Sequence, residues 1–110
     1  SEIDTVIRQS WAVFRLDRDS TQSGVIPVAF MNARPVIVRD VEGLTQHVKH
    51  TFNGYIISKN CPLDELINAM DYVKQNATSL AINARRSYEE TWAEWKVMEY
   101  YQWLVKILQD

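Results

Sequence analysis

The chain is poor in cysteine: Cys61 stands alone among 110 residues. That excludes an intrachain disulfide and a cysteine-built metal cluster, and it makes a reducing compartment, the cytoplasm, the default expectation. No apolar run approaches the roughly 20 residues of a membrane-spanning helix, so no transmembrane segment is expected. The opening Ser1-Glu2-Ile3-Asp4 is polar and acidic and lacks the form of a signal peptide. Neither sign of charge dominates: 12 Lys and Arg stand against 14 Asp and Glu, a formal −2, with no block of one sign. Bulk charge therefore points to neither nucleic acid nor an anionic membrane as partner. There is no internal repeat and no low-complexity tract. No serine or cysteine lies in an elbow motif, so a triad-type nucleophile has no support. His47 and His50 lie three apart but lack a Cys or acidic partner at ligand spacing, and they read as exposed side chains. No metal and no cofactor is expected. Cys61 precedes Pro62 at a helix start, a place that lowers a thiol pKa, although an incidental cysteine is the plainer reading.

What is present is enough for one small domain over residues 1–110, with an ordinary globular composition. Ser1 is placed to cap a first helix, Glu2 to Gln9, with Ile3, Val6 and Ile7 on one face. Trp11 to Leu16 reads as a strand. A short apolar helix follows, with Pro27 in its first turn, where a missing N–H costs little. Pro35 stops that helix, and Val36-Ile37-Val38 reads as a strand buried on both faces. A short helix is expected from about Leu44 to Lys49, a turn at Asn53-Gly54, and a strand over Tyr55 to Ser58. Pro62 opens a helix with Leu63, Leu66, Ile67, Met70 and Val73 on its buried side. Ala77, Leu80, Ala81, Ala84 and Tyr88 mark another. Thr91 and Glu94 have the form of a capping box and open a separate last helix, within 91–108, apolar on more than one side.

This alternation predicts an α/β fold: a three-layer, Rossmann-like half domain with a roughly three-stranded parallel sheet and C-terminal helices. A strand–helix–strand unit puts the start of its helix at the carboxyl edge of the sheet, where free N–H groups suit a phosphate. The stretch Ser20-Thr21-Gln22-Ser23-Gly24-Val25 occupies that place. It is either a diphosphate cradle of hydroxyls and amides or a solvated helix cap. Asp17, Arg18 and Asp19, just past a strand end, either engage a sugar or phosphate or are surface charges. Trp92, Trp95, Tyr100, Tyr101 and Trp103 lack a basic groove, so they read as core or interface, not a nucleic-acid platform.

Gly24-Val25, Ala29 to Ile37, Arg39 to Val48, Asn53 to Ile57, Pro62 to Leu66 and Asn83-Ala84-Arg85, in that order, resemble the donor-binding half of a GT-B glycosyltransferase of the retaining, glycogen-synthase-like group, family 4. Ala29-Phe30-Met31-Asn32-Ala33-Arg34-Pro35-Val36-Ile37 is similar to the family's Ala-Met-Ala followed by Gly-x-Pro-Val-Ile. Arg39 to Val48 resembles its Gly-Gly-Leu-x-Glu-x-Val segment, and Asn53-Gly54-Tyr55-Ile56-Ile57 its Gly-(Leu/Tyr)-(Leu/Ile)-Val strand. Pro62-Leu63-Asp64-Glu65-Leu66 and Asn83-Ala84-Arg85 match two further motifs. The family's donor-contacting glutamates are missing. They fall on Ser20 and Val28 in one register, on Thr21 and Ala29 in the other, and a third falls on Gln46. In the family the second of them contacts the donor's ribose, a hydrogen bond that Val28 or Ala29 cannot accept.

The resemblance implies a nucleotide-sugar donor as ligand, a diphosphate site over Ser20 to Val25, and acceptor and other catalytic groups on an absent N-terminal domain. The last helix would cross back towards that domain. With Ser1 rather than methionine first, the chain is expected to be a fragment of a larger protein and inactive alone. The alternative is a non-catalytic module with the same shell, docking a partner or a second copy through its Trp-rich last helix.

Overall fold

A computed structural model describes residues 2–16, 25–92, 102–103 and 105–109, with the side chain of Ile3 outside the description. The elements in order are α1 (Glu2–Gln9), β1 (Val13–Arg15), α2 (Val25–Met31), β2 (Val36–Arg39), α3 (Glu42–Thr45), β3 (Gly54–Ile57), α4 (Leu63–Gln75) and α5 (Ala77–Trp92). Residues 102–103 and 105–109 are also helical.

The three strands form one parallel sheet in the order β1-β2-β3. Val13 pairs with Val36, and Val36 with Gly54. Val36, Ile37 and Val38 are wholly buried, as a central strand covered on both faces must be. Alternation sends Val36 and Val38 to one face, against Ile26, Ala29 and Phe30 of α2 and Ala84 and Tyr88 of α5. Ile37 points the other way, with Ile57, towards Ala69 and Val73 of α4 and Leu80 of α5. The three-layer arrangement is thus set by β2, and α5 contributes to both layers.

Several local expectations change. Asn53-Gly54 is not simply a turn, since Gly54 is the first residue of β3. The helix expected from Leu44 is instead Glu42–Thr45 and ends before His47. On α4, Leu63 and Ile67 are exposed, and the buried seam is Ala69 and Val73 with Leu66 and Met70 partly covered. Periodicity finds a stripe, but small Ala69 is what lets α4 approach the sheet. On α1, Ile7 is buried and Val6 exposed. Thr91 is no N-cap, because α5 continues through Thr91 and Trp92. Tyr88 and Trp92 both pack on the same core, and that burial outweighs a local capping signal. Ser1, Asp17, Arg18, Asp19, Trp95, Tyr100 and Tyr101 lie outside the described residues.

The end of α2 carries a left-handed residue. Ala33 N–H donates to Phe30 C=O and Arg34 N–H to Ala29 C=O, at 3.0 and 2.9 Å, the double bond pattern that closes a helix around a left-handed residue. That residue, Ala33, has φ of 55°. Alanine there holds a Cβ in a disfavoured region that glycine would occupy without strain. Ala33→Gly is expected to raise stability by about 1 kcal/mol, read as a higher urea midpoint at unchanged slope.

Candidate functional site

In a parallel sheet the carboxyl ends of the strands share one edge, and ligands of open α/β sheets bind there. Here that edge comprises Arg15 at the end of β1 and Leu16 after it, Arg39 and Asp40 at β2, and Ser58, Lys59 and Cys61 after β3. The β1–α2–β2 connection brings the first residue of α2, Val25, to the same edge. Of the six residues expected to hold a diphosphate, Val25 is described, half-buried and helical; Ser20, Thr21, Gln22, Ser23 and Gly24 lie outside the described residues.

Of the two positions where the resemblance would put its second glutamate, Ala29 is enclosed completely and Val28 is half-buried.

Arg39 is the residue that organises this edge, and sequence inspection does not single it out. Its Nε donates to the carbonyl of Leu16 and its Nη1 to the carbonyl of Lys59, both at 2.7 Å. One guanidinium at the end of the central strand therefore ties together the chain leaving β1 and the chain leaving β3. The sequence signal was a lone arginine closing an apolar strand, where a solvated charge is the ordinary reading.

Glu65 fixes the neighbouring turn. Its two oxygens accept from the backbone N–H and the hydroxyl of Ser58, at 2.6 and 2.7 Å. The Ser58 amide first, then its hydroxyl, hold this carboxyl below the usual carboxylate range. A carboxyl pKa depressed in the fold stabilises above its unfolded value and loses that contribution as pH falls through the folded value. Denaturation midpoints should thus decline as pH drops below 4.5, the group's ordinary pKa. Glu65→Gln should show a shallower decline than the parent over the same range, measured by urea titration.

The thiol of Cys61 is pushed up, contrary to the expectation from its place before α4. Desolvation is the main cause and the Glu65 carboxylate the next, with Arg39 opposing them. Acidic residues in the first turn of α4 thus outweigh the pull of the helix end. His47 and His50 are exposed but engaged: His47 meets the Trp92 ring edge-on at 4.7 Å, and His50 Nδ1 accepts the N–H of Ile56 at 3.0 Å. Among the described residues, no group of three or more His, Cys, Asp or Glu is placed to hold a metal ion. No described helix is long and apolar enough to cross a membrane.

No family model and no curated protein matches the sequence. Among solved structures, the chain is similar to Anabaena HepE (Alr3699) in complex with UDP-glucose, with a TM-score of 0.76 over 99% of this chain at 19% identity. The chain spans 30% of the length of HepE. A likeness at this identity establishes the fold: a Rossmann-like α/β half domain of the kind found in that UDP-glucose-bound protein.

Proposed function

We propose that the chain forms part of the donor side of a GT-B glycosyltransferase, which moves a sugar from a nucleotide-sugar donor to an acceptor. The observation that carries this reading is the match along nearly the whole chain to HepE, solved with UDP-glucose. The order of the glycosyltransferase-like motifs from Ala29 to Arg85 supports it independently. Ser20 to Val25 would face the donor diphosphate at the carboxyl edge. Backbone N–H donors there would offset the charge of the leaving group as the sugar departs, with no metal required. Acceptor binding would belong to another domain, so the 110 residues alone should bind donor and not turn it over. Titration with UDP-glucose tests this reading: saturable binding weakened by Ser23 or Gly24 substitution is expected, and its absence would overturn the proposal.

A second reading is favoured by one observation. Trp103 and Ile107, one turn apart, and Leu108 are all exposed, Leu108 by 79%. A partner-docking module would use this face, either against a neighbouring domain or in a homodimer. Sedimentation that shows a concentration-dependent dimer, lost in Trp103→Ser, combined with no nucleotide-sugar binding, would favour it over the first.

A further inference from the structure

We propose that Arg39 is the anion-contacting residue of the carboxyl edge and grips the donor's diphosphate, an inference that rests on the donor-side reading above. Three features point to it. First, its plane is fixed. The bonds to Leu16 and Lys59 hold the guanidinium at the middle of the edge, so little further ordering is needed when a ligand arrives. Second, neither of these bonds neutralises its charge, because both partners are neutral carbonyls. Glu65 has both oxygens committed to Ser58. Asp40 and Asp64 are exposed to solvent. Third, Lys59, whose carbonyl takes the Nη1 bond, is itself an exposed residue, so a second positive side chain starts from the same turn. A fixed guanidinium fork matches phosphate oxygens two at a time.

With valine at position 28, where the resembled family carries a glutamate, the chain offers no acceptor there to a ribose hydroxyl. Recognition moves from the sugar hydroxyls to the phosphate charge. The site therefore selects for the diphosphate first and for base and sugar second.

The test uses the 110-residue chain with inorganic pyrophosphate, UDP, UDP-glucose and uridine, followed by calorimetry and by NMR of arginine Nε–H groups. Pyrophosphate and UDP should bind saturably, with affinity falling as salt rises, and uridine should bind at least about tenfold more weakly. The Arg39 Nε–H resonance should move with pyrophosphate. Arg39→Gln should lose at least about tenfold in pyrophosphate affinity, and Arg39→Lys, which keeps the charge without the fork, should lie between. A purely bracing role would change stability in these variants and leave affinity per folded molecule untouched. If Arg39→Gln does not fold, the wild-type resonance decides. Pyrophosphate binding through Arg39 with no UDP-glucose binding overturns the donor-side reading and keeps the anion contact. UDP-glucose binding that leaves the Arg39 resonance still, or that Arg39→Gln preserves, overturns the anion contact alone. No binding of any phosphate overturns both.

Discussion

Gly54→Ala should destabilise the protein by about 3 kcal/mol, a fall in melting temperature of roughly 15 °C for a domain of this size. A Cβ on residue 54 would be driven into the carbonyl oxygen of Val36 and would crowd Val48 Cγ1 and Val36 Cγ2 at 3.0 and 3.1 Å. Side-chain methyls yield by rotating. The Val36 carbonyl has no such freedom, because it belongs to the central strand, and β2 pairs on both sides. The reason for glycine here is close approach of two backbones, not an unusual φ. Circular-dichroism melting of Gly54→Ala and Gly54→Ser checks this. A loss below about 1 kcal/mol would mean that β3 shifts away without penalty.

Asn53→Ala should cost a similar amount, about 3 kcal/mol, for a different reason. Asn53 is only 1% exposed. Its Oδ1 accepts the N–H of Lys49 at 2.8 Å, and its Nδ2 donates to the carbonyl of His47 and the hydroxyl of Ser87, at 3.2 and 2.9 Å. Truncation strands the Lys49 N–H and the His47 carbonyl, while the Ser87 hydroxyl keeps its bond to the Asn83 carbonyl, and each buried orphan costs about 1–3 kcal/mol. Ser87→Ala removes only one of these contacts and should cost about 1 kcal/mol. Urea titration of the two variants separates the loss of one bond from the loss of the whole network. Equal midpoints for Asn53→Ala and the parent would mean that the loop is held from elsewhere, for example by Asn83, whose Nδ2 donates to Phe52 C=O.

The contrast between these two neighbours shows what a sequence reveals. Asn53-Gly54 is legible as a turn pair, because both residues favour bends. Their deeper roles depend on partners far along the chain, Val36 and Ser87, which local preference does not encode. The sheet itself was readable from Val36-Ile37-Val38 and from the spacing of helices between apolar runs. The limits of α1 and the start of α4 after Pro62 were also readable, since both rest on local chemistry. On α4 the packing of Leu66, Met70 and Val73 was readable, but not that of Ala69, and Leu63 and Ile67 share the periodic pattern yet stay exposed. At the candidate site, the carboxyl edge followed from connectivity, whereas Arg39 did not. An arginine's reach to Leu16 and Lys59 becomes visible only once β1 and β3 flank β2.

The placement of α5 has a consequence for how the protein is made. Strand β2 must emerge from the ribosome before β1 finds any partner, since Val13 pairs with Val36. Even then, Phe30 and Ala29 wait for Ala84 and Tyr88, contributed by the last of the named helices. Until α5 is synthesised, a nascent chain carries a wet, oily surface on one side of its sheet, the kind of species that chaperones hold. Contacts this distant in sequence also slow refolding, so the domain should collapse late and as one unit.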